Sequence, residues 1–167
     1  MGLLGRGDRN QHRKFQMRQK MMSIGDDYWI EDDDGNKAFK VDGKAMRLRK
    51  TWALEDAQGR EVATIKEHRL GRDKVVIDLG GREATVKKAL VGLRDRFHVE
   101  VELGKDLKVH GHIADHEYEI ERDGSKIAEV SKKWFRMRDT YGVEIWDEAD
   151  TVLVLAVTVA VDTLAHD

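Results

Sequence analysis

Three histidines, His110, His112 and His116, stand close together in the chain. Imidazole nitrogens are common ligands for borderline metals, and two on one strand face plus a third can close on a single ion. His110 and His112 share a face if the segment is extended, because side chains repeat every second residue along a strand. No fixed pattern of acidic partners accompanies them. They read as surface histidines, and no metal site is expected. Asp32, Asp33 and Asp34 gather three carboxylates, the raw material of a calcium site. The spacing of an EF-hand loop is missing, so a solvated acidic turn accounts for them better.

Nucleophilic chemistry finds little support. The chain has no cysteine, which removes disulfides, thiolate metal ligands and thiol catalysis together. Its serines are Ser23, Ser125 and Ser131, none in the setting of a catalytic triad. G-x-S-x-G, a phosphate-binding glycine loop and H-E-x-x-H are all absent. A non-enzymatic protein without a cofactor is the expectation.

Charge offers more. Residues 43–50 (GKAMRLRK) hold four basic residues and no acid, and residues 87–96 and 132–139 each hold four basic residues and one acid. Residues 66–74 carry four basic residues and two acids. The acids cluster elsewhere: residues 31–37 hold four with one lysine, and residues 55–61 hold three with one arginine. A net charge of −2 therefore hides strong local polarity. Arg47, Arg49, Lys50, Lys87, Lys88, Lys132, Lys133, Arg136 and Arg138, interleaved with Met46, Leu48, Trp134 and Phe135, form a candidate surface for anionic headgroups. Each Lys or Arg near an anionic membrane contributes about 1 kcal/mol, and aromatic rings suit the interface. The competing account is that charge at strand ends keeps them soluble and prevents edge pairing. Nucleic-acid binding is not expected, since no recognised motif accompanies the charge.

These residues need a scaffold, and the chain describes one. Its 167 residues fit a single domain with a sizeable core. Charged residues make up 37% against a usual share of about 25%, so much of the chain must alternate between a buried and a solvated face. Three stretches repeat one pattern: Tyr28–Val41, Trp52–Lys66 and Tyr118–Val130. Each is an alternating apolar stretch, an acidic turn ending in glycine, and a second alternating stretch. Period-2 alternation marks a half-buried strand, and Gly35, Gly59 and Gly124 fit tight hairpin turns. Turn glycines recur every 20 to 24 residues at 35, 59, 81, 104 and 124. About twelve strands follow, near 15–22, 27–32, 37–42, 50–56, 60–67, 74–79, 82–89, 96–103, 107–113, 117–122, 126–132 and 140–146. Proline, which cannot donate to a ladder, is absent throughout.

The end of the chain decides between sandwich and barrel. Val152–Val161 reads VLVLAVTVAV, apolar on every side and so buried on every side. It is too short to span a bilayer, which takes about 20 residues. Five valines favour a strand, whereas Asp147, Glu148 and Asp150 suit a helix N-terminus. A helix inside a closed antiparallel barrel is expected. Asp162 is then expected at the barrel mouth, hydrogen-bonded or paired with a rim Arg or Lys, because a buried charge needs a partner. At the other terminus, residues 1–13 lack the apolar run of a signal peptide. Arg6 breaks a myristoylation motif, and a mobile basic tail is expected before a single domain at 14–167.

From Phe15 to Ala165 the chain resembles the LURP-one-related family, whose fold is similar to the tubby C-terminal domain and to phospholipid scramblases. The resemblance is carried by WIEDDDGNKAFKVDGK, by WALEDAQGREVATIKEH, and by the terminal DTVLVLAVTVAVDTL with Asp162 closing the apolar run. It implies a mainly β fold, a closed antiparallel barrel of about 12 strands enclosing a hydrophobic C-terminal α-helix. Members of the related groups bind phosphoinositides or act at phospholipid membranes. The expectation is a cytoplasmic, non-catalytic binding module, peripheral to an anionic membrane. A scaffold domain with no lipid role, or an uncharacterised enzyme, are the alternatives.

Overall fold

In the structure, a computed structural model, residues 13–18, 27–43, 50–68, 74–89, 96–134, 140–146 and 149–165 are described. Twelve strands appear in the expected order: β1 (Arg13–Arg18), β2 (Asp27–Asp32), β3 (Lys37–Gly43), β4 (Thr51–Asp56), β5 (Glu61–Glu67), β6 (Lys74–Asp78), β7 (Glu83–Ala89), β8 (Arg96–Val101), β9 (Leu107–His112), β10 (Glu117–Arg122), β11 (Ser125–Ser131) and β12 (Thr140–Ile145). Each pairs antiparallel with its neighbours in sequence, and β1 pairs with β12, so the sheet closes. A 3-10 turn, Ile113–Asp115, joins β9 to β10, and α1 (Thr151–Ala165) ends the described chain.

The sequence repeat has a structural counterpart at the turns. Asp32 Oδ1 accepts the backbone N–H groups of Asp34 and Asn36 at 3.0 and 2.9 Å. Asp56 Oδ1 does the same for Gln58 and Arg60, both at 2.9 Å. The acids of the turns therefore cap backbone donors, the usual reason for aspartate in such positions. A register shift follows the turn at the same point of all three repeats, at Ile30/Glu31, Leu54/Glu55 and Ile120/Glu121. Each leaves one extra residue on the returning strand, which bends the ladder as a barrel wall requires.

Because the strands run up and down, the tight turns lie at one end and the longer connections at the other. The strands that enter from the connection end all present their second residue to the interior: Tyr28, Trp52, Val75, Phe97, Tyr118 and Tyr141. This ring is polar on β10, β12 and β2, and apolar on β4, β6 and β8.

Inside runs α1, 15 residues and about 22 Å long at 1.5 Å per residue. Leu153 to Leu164 are buried without interruption. Valine content favours a strand, but a strand inside a closed barrel has no ladder to join. A helix satisfies its own backbone, and that requirement overrides propensity. Thr158 and Thr163 donate to the carbonyls of Val154 and Val159, both at 2.9 Å, so the buried hydroxyls are satisfied within the helix. Asp150 caps the start, accepting the Leu153 N–H at 3.2 Å, and its other oxygen meets Arg82 Nη2 at 3.0 Å. Asp147 and Glu148, the other expected caps, lie outside the described residues.

Candidate functional site

The expected basic rim falls at the connection end, and the structure describes part of it. Arg47, Arg49, Arg136 and Arg138, with Met46, Leu48 and Phe135, lie outside the described residues. Lys50 stands just before β4, where its carbonyl accepts the Glu67 N–H at 3.0 Å. Lys87 points outward and is engaged, its Nζ 2.8 Å from Glu100 Oε1. That bond holds the Glu100 carboxyl below its usual range. Lys88 follows on the opposite face of β7, paired in register with buried Phe97, and so points toward the mouth of the barrel. Lys132 and Lys133 leave β11 on a fixed backbone. Lys132 N–H donates to Glu117 Oε1 at 3.0 Å, and Lys133 N–H to Ser131 Oγ at 3.1 Å. Lys14 covers the Trp134 ring at 5.6 Å. Among the described residues, Lys88, Lys132 and Lys133 form no ion pair.

Beneath this end sits a cluster that spacing did not reveal. The chain has three tyrosines, and the hydroxyls of all three are buried within electrostatic reach of Asp162. The Tyr141 hydroxyl donates to Asp162 Oδ2, a short contact. His116 stacks on the Tyr141 ring with centroids 4.3 Å apart, and its Nδ1 lies 3.4 Å from Asp162 Oδ1. Asp162 is 2% exposed and His116 1%. Burial first, and the Asp162 charge second, push the hydroxyls of Tyr28, Tyr118 and Tyr141 well above their ordinary pKa of 10.0. Both factors disfavour a second buried negative charge. Tyr28 keeps part of its ring accessible while its hydroxyl is buried.

This arrangement meets the expectation of a hydrogen bond to Asp162 and corrects the reading of His116 as a surface histidine. Asp162 is hydrogen-bonded, as a buried carboxylate should be, but its described partners are a tyrosine and a histidine and not a rim Arg or Lys. His116 is not available to join His110 and His112, because the left-handed backbone at its φ of 52° turns it into the core. His110 instead faces outward and meets Glu121, Nε2 to Oε1, at 2.9 Å, with Glu119 beside it. No sequence motif announces either cluster. A usable signal was present all the same: Tyr28, Tyr118 and Tyr141 each occupy the second position of a strand entering from the same end.

The model of the LURP-one-related family matches residues 13–162, from the first residue of β1 to Asp162 itself. This chain belongs to the LURP-one-related family. Within the match lie every strand and all five members of the Tyr–His–Asp cluster. Among proteins similar to this LURP-one-related chain is YxjI of Bacillus subtilis (strain 168), 26% identical over 154 residues, which span 90% of this chain and 93% of that one. The X-ray structure of the Arabidopsis thaliana protein AT5G01750 superposes with a TM-score of 0.71 at 20% identity, covering 94% of this chain and 93% of that one. At that identity the likeness concerns the fold alone. Family and barrel are consistent with a non-enzymatic domain. No helix among the described residues is long and apolar enough to cross a membrane.

Proposed function

We propose that this LURP-one-related barrel is a non-catalytic binding module that seats its connection end on anionic phospholipid headgroups. In this reading the protein is cytoplasmic and peripheral. The observation that supports it is the unequal commitment of charge at the two ends. At the turns, three cations are occupied: Arg60 holds Asp56 at 2.7 Å, Lys105 holds Asp123 at 2.5 Å, and Arg82 holds Asp150 at 3.0 Å. At the connection end, Lys88, Lys132 and Lys133 have no acidic partner among the described residues. A cation without a partner costs little to move from water to a headgroup, whereas a paired one must first give up its acid. Arg47, Arg49, Arg136 and Arg138 belong to the same proposed surface.

Co-sedimentation with vesicles tests the proposal. Binding is expected to vesicles containing phosphatidylserine or phosphoinositide and not to phosphatidylcholine alone, and to fall as salt rises. Charge reversal of Lys132 and Lys133 together should weaken it at least tenfold, at about 1 kcal/mol for each cation removed and more for each reversed. Reversal of Arg47, Arg49 and Lys50 should do the same. Equal binding to neutral vesicles, or none to anionic ones, sinks the lipid reading and leaves a protein-interaction role.

A further inference from the structure

We propose that His110, Glu119 and Glu121 form a site for one divalent transition-metal ion on the outer wall of the barrel. The three residues come from two adjacent strands. His110 on β9 stands directly opposite Glu119 on β10, and Glu121 lies two residues further along the same face. One ligand atom from each falls within 4.8 Å of the other two, and His110 Nε2 already sits 2.9 Å from Glu121 Oε1. Around a tetrahedral ion with bonds of about 2.0–2.2 Å, ligand atoms stand about 3.3–3.6 Å apart. Small rotations of the two glutamate side chains reach that spacing. The backbones need not move, because a five-residue stretch of ladder fixes β9 against β10.

The donor set selects the class of ion. One imidazole and two carboxylates suit zinc or its neighbours in the first transition row. Calcium takes six to eight oxygens, more than this site offers, and magnesium gives up its water reluctantly. Three protein ligands leave a fourth position open. His110 and Glu121 border an open groove of about 430 Å³, which supplies the room and the access for that position. Arg96 and Lys108 also line the groove. Their charges repel a bare cation but attract an anion, so they favour an anionic fourth ligand over neutral water. The present occupants are exchangeable. His110 and Glu121 hold each other at 40% and 27% side-chain exposure, and Lys126 Nζ stands 3.6 Å from Glu119 while 3.1 Å from Glu129. Lys126 can stay with Glu129 when the ion arrives.

The test uses the full chain without an affinity tag. Cobalt(II) titration should give a saturable visible absorption at one equivalent, and zinc should displace it. Glu119→Gln and Glu121→Gln, which keep shape and remove charge, should each weaken cobalt and zinc binding at least tenfold. His110→Ala should abolish the absorption. His112→Ala, two residues along on the same face, should change the affinity less than twofold. Thermal melting of each metal-free variant, expected to match the parent, shows that the barrel is intact. Absence of a one-equivalent site in the parent overturns the proposal. So does loss of the site in His112→Ala, or binding that survives both glutamine variants.

Discussion

Two histidines close together in the chain each meet a carboxylate, on opposite sides of one sheet. Outside, His110 meets Glu121 at 2.9 Å with both side chains in contact with water. Inside, His116 meets Asp162 at 3.4 Å, with neither more than 3% exposed. Judged by distance, the outer pair is the stronger. Judged by surroundings, the inner one governs stability, because water screens the outer pair and can replace either partner. No such replacement exists for Asp162 once it leaves the solvent. The same chemical groups are therefore free to serve a ligand on one face and bound to serve the fold on the other.

Substitution breaks this comparison where it is weakest. Asp162→Ala should cost about 3–5 kcal/mol in chemical denaturation, the range for breaking a buried charged cluster. Unchanged stability would mean that the inner pair is as dispensable as the outer. Alkaline titration is the next largest effect. The three tyrosines are held protonated in the fold but ionise near 10.0 when it opens. Above pH 10 the unfolded chain thus binds fewer protons than the native one, and stability falls as pH rises. Below pH 10 both states are protonated and this contribution stays level. Each tyrosine adds a slope of about 1.4 kcal/mol per pH unit. Tyrosinate absorbance should appear only together with unfolding; its earlier appearance would show that water reaches the cluster. The smallest effect belongs outside: Glu121→Gln should change stability by less than about 0.5 kcal/mol, and a larger loss would erase the contrast.

The fold was largely legible in the sequence, and the clusters were not. Strands declare themselves locally, through alternation such as Lys74-Val75-Val76-Ile77-Asp78 and through the glycine that closes each turn. The helix was legible from an all-round apolar run, which must be buried, and from the acids before it, of which Asp150 caps the first turn. Asp162 stood out because a carboxylate after such a run needs explaining. Its partners did not, because His116 and Tyr28 approach it only after the barrel closes, and closure is a property of β1 meeting β12. His116 also looked like one more histidine of the 110–116 group, until the 3-10 turn at Ile113–Asp115 rotated it inward. Of the basic rim, the charge was legible from composition, but the engagement of Lys87 by Glu100 needed the register of β7 on β8.

The position of α1 in the chain has a consequence in time. The element that fills the core is synthesised after all twelve strands that enclose it. Until it arrives, the inward faces of those strands have nothing to cover, and β1 must wait for β12 across most of the chain's length. Contacts so distant in sequence make folding slow, and a shell awaiting its core exposes apolar strands to other chains. The outward alternation of charge along those strands then protects the unfinished barrel as much as it solubilises the finished one.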